Sequence, residues 1–103
     1  MLLEDAANRL AELGNTTRLR IYRHLVEAGP EGMPVGELQK ELEVPASTLS
    51  HHVSRLVRVG LVRQERESQV LRCHPEYPAL QELIDYLQSE CCARSDCGEG
   101  GCS

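Results

Sequence analysis

Between Val35 and Cys73 the chain lays down two short amphipathic runs broken by a Val-Pro step, then a Gly-Leu-Val corner and two extended runs. The first run predicts a helix from Val35 to Glu43, with Val35, Leu38 and Leu42 inward; Val44-Pro45 ends it, because the residue before a proline is pushed out of the helical region. The second predicts a helix from Ser47 to Val59, with Leu49, Val53, Leu56 and Val57 forming one apolar face. Its other side carries Ser47, Thr48, Ser50, His51, Ser54, Arg55 and Arg58. Small hydroxyls at the N-terminal end permit close approach, and the arginines reach phosphates or base edges, so this face suits a DNA groove. Gly60 stops the helix, Leu61-Val62-Arg63 opens a strand, and Gln69 to Cys73 returns it past a polar tip, Glu65 to Ser68, that carries Arg66. The order is helix, turn, helix, hairpin: a mainly helical domain with a small β-hairpin as its wing.

Polar outer faces are the usual state of helices in any small domain, so charge decides how much weight the pattern bears. The chain is net −5 with histidine neutral, which excludes a general nucleic-acid coat. The charge is unevenly placed: −3 over residues 1–43, +3 over 44–75 and −5 over 76–103. Between Val44 and Pro75 stand five arginines against two glutamates, so positive charge is confined to the second helix and the hairpin. Such a patch on an acidic body orients a protein on a polyanion. The competing class is a protein-protein module of the same shape, which would use its acidic body as the contact face.

A length of 103 residues implies one domain with a tail: residues 1–90 as the folded unit and 91–103 as a cysteine-rich extension. With three tyrosines and no Phe or Trp, the core must be aliphatic. Residues 2 to 13 predict a first helix, with Leu2, Ala6, Leu10 and Leu13 on one side, and Gly14 ends it. Asn15 suits an N-cap for a helix from Thr16 to Ala28, with Leu19, Tyr22, Leu25 and Val26 inward and Ile21 flanking; Arg18, Arg20 and Arg23 are given a supporting or phosphate-contact role at most. Gly29 to Gly32 is a turn cluster extended by Met33-Pro34. His74 to Pro78 is a rigid connector with two prolines, and a last helix runs from Ala79 to about Glu90 with Leu80, Leu83, Ile84 and Leu87 apolar and Tyr86 beside them. No run of eighteen apolar residues and no signal-like N-terminus is present, so a cytoplasmic location and no membrane partner are expected.

Four of the five cysteines lie in the last thirteen residues: Cys91, Cys92, Cys97 and Cys102. Cys73 alternates with Leu71 along a strand and is expected to be a buried apolar thiol. Soft thiolates select Cu(I), Zn(II), Cd(II) or trivalent arsenic and antimony. Three thiolates around a pyramidal trivalent centre are the simplest use of this tail, four would suit tetrahedral zinc or cadmium, and Cys91 paired with Cys97 or Cys102 would make a redox switch; Asp96 offers an oxygen. Adjacent cysteines are poor disulfide partners for one another because a vicinal bridge is strained. No catalytic constellation accompanies any cysteine, and no enzyme is expected.

Thr17-Arg18-Leu19-Arg20-Ile21, Glu37-Leu38, the run from Ser47 to Leu56 with its serine-histidine-histidine core, and Gly60-Leu61-Val62 together resemble the ArsR/SmtB family of metal- and metalloid-responsive bacterial repressors, over roughly residues 5 to 88. The resemblance implies a homodimeric winged helix-turn-helix of about five helices, paired through its terminal helices, that binds double-stranded operator DNA when ligand-free and releases it when an inducer binds. It implies major-groove contacts from Ser47, Thr48, Ser50, His51 and Arg55, with Arg58 on the flank, and backbone or minor-groove contacts from Arg63, Arg66 and Arg72. Many arsenic-responsive members carry a Cys-x-Cys pair in the first helix of the helix-turn-helix, and zinc-responsive members carry Asp and His pairs on the last helix. Gly36 to Lys40 holds no cysteine here, and the last helix offers Glu82 and Asp85 without histidine. A minority of arsenic-responsive members use a C-terminal cysteine pair with a third cysteine. Cys91, Cys92 and Cys97 resemble that site, with Cys102 as substitute or fourth ligand. As(III) or Sb(III) is therefore the implied inducer, with cadmium, zinc or thiol oxidation as the alternatives, and no cofactor is needed for DNA binding.

Overall fold

The computed structural model describes residues 1–94; the expectations for Cys97, Cys102 and Asp96 lie outside them. The order is α1 (Leu3–Leu13), α2 (Thr16–Ala28), β1 (Met33–Pro34), α3 (Val35–Leu42), α4 (Ala46–Arg58), β2 (Val62–Glu67), β3 (Val70–Pro75) and α5 (Tyr77–Gln88). These are the five helices and the hairpin expected, with one strand more: Met33 pairs with Cys73 and Pro34 with Arg72, so the sheet order is β1-β3-β2 and wholly antiparallel. Pro34 is tolerated because β1 is an edge strand. Gly32 precedes it at φ +69°, and any Cβ there would collide with the Cys73 carbonyl.

The local chemistry sets each boundary. Asn15 caps α2, its side chain accepting from the Arg18 N–H at 2.9 Å. Helix α3 ends at Leu42, one residue before the expected bound, with Glu43 in the left-handed region at φ 54°. Helix α4 starts behind Pro45, whose carbonyl accepts from Leu49 N at 2.9 Å. It closes with Gly60 at φ +80°, Gly60 N–H on Val57 O and Leu61 N–H on Leu56 O, both 3.0 Å. This is the paired-bond helix stop that glycine permits, and it tucks Leu61 against Leu56 inside the core.

Ile21, Tyr22 and Leu25 of α2, Leu38 and Leu42 of α3, Leu49, Val53 and Leu56 of α4, Leu61, Val62 and Cys73 form one buried cluster. Cys73 is fully buried, as expected, and burial pushes its thiol pKa up. Two side chains expected inward are not: Leu19 and Val57 are exposed, and His52 takes the place on α4 assigned to Val57. Ile84 and Leu87 are exposed on α5, one of the two terminal helices expected to pair in a dimer. Leu2 and Leu10 are also exposed, because α1 turns Ala6, Glu12 and the half-buried Arg9 and Leu13 toward the domain and leaves its leucine stripe outside. Arg18, given a supporting or phosphate-contact role by sequence, is buried against Glu12 and supports the fold.

The connector is also shorter than expected. His74 and Pro75 complete β3, while Tyr77 and Pro78 already belong to the first turn of α5, where a proline loses no helical hydrogen bond. The Tyr77 hydroxyl donates to Val26 O at 2.7 Å and Arg9 Nη1 donates to Ala79 O at 2.9 Å, fastening α5 to α2 and α1. Helix α5 ends at Gln88, two residues before the expected bound. Glu90 and Cys92, at φ 56° and 66°, then wind the chain into turns. Among the described residues no helix is long and apolar enough to cross a membrane.

Candidate nucleic-acid interface

Helix α4 buries Leu49, His52, Val53 and Leu56 and turns Ser47, Thr48, Ser50, His51, Ser54 and Arg58 to solvent. The Ser47 and Thr48 hydroxyls stand on its first turn, where helix N–H groups lack intrahelical partners and favour anions. Ser54 is less available, since its hydroxyl donates to His51 O at 2.8 Å. His52 lies behind this surface; burial lowers its pKa first, with Arg18, His51 and Arg55 adding repulsion, so its imidazole is neutral near pH 7.

The wing projects from the core at its base. Only Val62 of β2 is buried, and Glu76 N–H on Leu61 O at 2.9 Å pins the foot of the hairpin. The strands pair as far as Glu67 with Val70, so the turn is Ser68-Gln69 alone, shorter than the tip expected over Glu65 to Ser68. Arg63, Glu65, Glu67, Arg72 and His74 share one face by strand alternation and register. There Arg63 pairs with Glu65 and, at 3.3 Å, with Glu76. Arg72 Nε donates to Glu67 Oε1 at 3.0 Å and its Nη1 to Glu31 O at 3.4 Å. Arg66 points to the other face, exposed, with no ion pair among the described residues.

Arg55 is the basic residue of α4 that folds inward. Its Nε donates to Glu12 Oε1 at 3.0 Å and its Nη2 to Glu12 Oε2 at 3.2 Å. Glu12 also accepts from Arg18 Nη1 at 2.9 Å, and the hydrogen bond from Arg55, ahead of the attraction of Arg55, Arg18 and the more distant Arg58, holds its carboxyl below the usual range against the opposing effect of burial. Sequence reading missed Glu12. It lies off the leucine stripe of α1, and nothing in the spacing of an acid on an acidic chain marks it as buried. Arg58, like Arg66, has no ion pair among the described residues and stands beside the outward serines. The sequence-predicted residues therefore come together as one continuous α4 surface with a separate wing, but their arginines are in different electrostatic states.

At the far end of the fold, past α5, Cys91 and Cys92 bring their Sγ atoms within 3.4 Å, one thiol donating to the other. Partial burial and then that hydrogen bond raise the Cys92 pKa. Among the described residues no group of three His, Cys, Asp or Glu side chains is arranged to hold a metal ion.

Comparison with known proteins agrees with this geometry. The family described as a helix-turn-helix domain matches residues 13–65. An uncharacterized helix-turn-helix-type transcriptional regulator of Methanocaldococcus jannaschii is 38% identical over 64 residues, covering 62% of this chain and 70% of that protein. Among solved structures, HlyU from Vibrio cholerae superposes with a TM-score of 0.69 at 30% identity, covering 82% of this chain and 89% of that one. An ArsR-like transcriptional regulator from Rhodococcus superposes at 0.73 with 22% identity, covering 82% and 77%.

Proposed function

The chain belongs to the helix-turn-helix family of transcriptional regulators, in the winged form of the fold that ArsR-like proteins share, and from that premise we propose that it is a homodimeric repressor that trivalent arsenic or antimony releases from operator DNA. The observation that carries the DNA half of the reading is the division of α4: an apolar face sunk in the core and an outward stripe of small hydroxyls, His51 and Arg58. Dimerisation is supported by the leucines that α1 and α5 leave outside. Leu3 and Leu10 on one helix, with Leu2 just before it, and Ile84 and Leu87 on the other are exposed, while Arg9 joins the two helices through Ala79 O and Glu82. A second copy covering these side chains would bury apolar surface and set two reading helices against a symmetric site.

The inducer half rests on sulfur. Cys91 and Cys92 sit directly after α5 with their Sγ atoms close enough to bind one soft centre together, and Cys97 supplies a third thiol by sequence. Each thiol that bonds to As(OH)3 passes its proton to a departing hydroxyl, which leaves as water, whereas capture of aquated cadmium or zinc releases the thiol protons and strengthens as pH rises. Release from DNA further requires that the inducer bind the DNA-incompetent arrangement more tightly, since equal binding to both shifts nothing.

The experiment is a mobility-shift titration on the DNA upstream of the protein's own gene with arsenite, antimonite, cadmium and zinc, repeated on serine variants of Cys91, Cys92, Cys97 and Cys102. Release by arsenite that is lost in Cys91→Ser and Cys92→Ser and kept in Cys102→Ser is expected. Release by cadmium or zinc at lower concentration than arsenite would reassign the inducer, and release by peroxide alone would make the site a redox switch. Absence of any binding to that DNA would favour the protein-protein module.

A further inference from the structure

Arg55 belongs by position to the basic group of the reading helix, yet its guanidinium is turned from the outward stripe. Counting about 100° per residue, Arg55 lies between His51 and Thr48 on the outward side of α4, so what sets it apart is where its guanidinium is held and not its place on the helix. Its two hydrogen bonds to the two oxygens of Glu12 form a fork, which fixes orientation as well as distance. Glu12 cannot follow an arginine that swings away, because Arg18 Nη1 grips both its Oε1, at 2.9 Å, and its carbonyl oxygen, at 3.1 Å. Glu12 is 8% exposed while the Arg55 side chain that reaches it stays 38% exposed, so the clamp is closed to water on the side of the acid and open on the side of the arginine. One buried acid thus joins α1, α2 and α4, on a helix whose leucines point away from the domain.

Resting on the regulator reading above, we infer that Arg55 is a positioning residue and not a DNA ligand: clamped by Glu12, it sets the seating of α4 against α1 and so the angle at which the outward stripe enters a groove. Base contacts need that seating, whereas attraction to phosphates depends on charge and is indifferent to a small change of angle. The same clamp makes α1, the helix with the uncovered leucines, the neighbour to which the reading helix is rigidly tied.

The test compares binding to the upstream duplex and to a mixed-sequence duplex of equal length, between about 50 and 200 mM salt. Arg55→Lys keeps the charge and loses the fork; Arg55→Gln loses both and leaves Glu12 paired with Arg18. Both variants are expected to lose roughly tenfold in preference for the upstream duplex, a coupling size ordinary for packed elements, with mixed-sequence affinity and salt slope unchanged. A slope flattened by about 0.9 in Arg55→Gln would put Arg55 on a phosphate and overturn the inference. So would wild-type preference in Arg55→Lys. Wild-type protein with no preference for the upstream duplex would count against the regulator reading instead, and the clamp is then judged by thermal unfolding. Glu12→Gln combined with Arg55→Gln should lower the melting temperature no further than the worse single change, and additive losses overturn the clamp.

Discussion

The reading helix and the wing both carry arginines, but they present them to solvent in opposite ways. On α4, Arg58 has no ion pair among the described residues, and the one arginine that is tied down, Arg55, is held by an acid from another helix. On the wing, Arg63 and Arg72 are matched by carboxylates of their own hairpin and its flanks, Glu65, Glu67 and Glu76, and Arg66 alone stands unmatched on the opposite face. The difference teaches that counting arginines overstates the electrostatic footprint. Five basic residues between Val44 and Pro75 reduce to two, Arg58 and Arg66, that are ready to neutralise a phosphate without first breaking an internal pair.

The strongest way to break this contrast is to remove the acid that holds Arg55. Glu12→Ala leaves Arg18 buried with only a carbonyl for its guanidinium, and a loss of about 3 kcal/mol is expected for an orphaned buried charge. A thermal melt followed by circular dichroism should show it as a fall of more than ~10 °C for a domain of this size. A fall of only a degree or two would mean that α1 is held by something other than this network.

Reversing an unmatched arginine sharpens the contrast next. Arg66→Glu or Arg58→Glu should weaken binding to every DNA sequence by at least about tenfold, since each reversal replaces a phosphate attraction with a repulsion. Arg63→Glu should cost less DNA affinity, and part of its effect would come from placing a third acid beside Glu65 and Glu76. Fluorescence anisotropy on one labelled duplex ranks the three; equal losses would erase the distinction between matched and unmatched cations.

Acid weakens the clamp in a defined direction. The folded pKa of Glu12 lies below its ordinary value of 4.5, chiefly because of the Arg55 hydrogen bond. The stability it contributes is therefore complete above pH 4.5 and is lost as pH falls through the lower folded value. Wild-type protein should be the more stable near neutrality, and its advantage over Glu12→Gln should shrink on acidification below pH 4.5. A gap that stays constant down to pH 3 would show that Glu12 does not titrate with folding.

The smallest effect is at the tip of the wing, where Ser68 takes φ 60° in a two-residue turn. Ser68→Gly should stabilise the hairpin by a few tenths of a kcal/mol, about 0.5 at most, because relief of the left-handed strain is offset by the greater freedom of an unfolded glycine. Hydrogen exchange at Val70 and Glu67 is the sensitive measure, and faster exchange there would contradict it.

How much of this is legible in the sequence follows from which forces act locally. The bounds of α2 are, from Thr16 to Ala28, and those of α3 and α4 to within one residue, because Asn15, Pro45 and Gly60 act through their own backbones and neighbours; α5 starts and ends two residues before its expected bounds. Strand β1 is not, since two residues containing a proline carry no periodicity and are strand only by pairing with Cys73 and Arg72. The face that α1 turns to its own domain is not legible, for a related reason. Its leucines predict one side, and the small Ala6 with the ion pairs of Arg9 and Glu12, whose partners are distant in sequence, select another. The serines and His51 of α4 were legible as outward residues, while the matched state of Arg55, Arg63 and Arg72 depended on acids that only the fold brings near.

The salt dependence of DNA binding tests the central claim most directly. With slopes of log affinity against log salt measured for glutamine variants at Arg58, Arg66, Arg63 and Arg72, the account predicts that Arg58→Gln and Arg66→Gln each flatten the slope by about 0.9 per protomer bound, and that Arg63→Gln and Arg72→Gln leave it within error of wild type. Flattening at Arg63 and Arg72 as large as at Arg66 would contradict it, showing that the wing releases its internal carboxylates and meets DNA with every arginine it has.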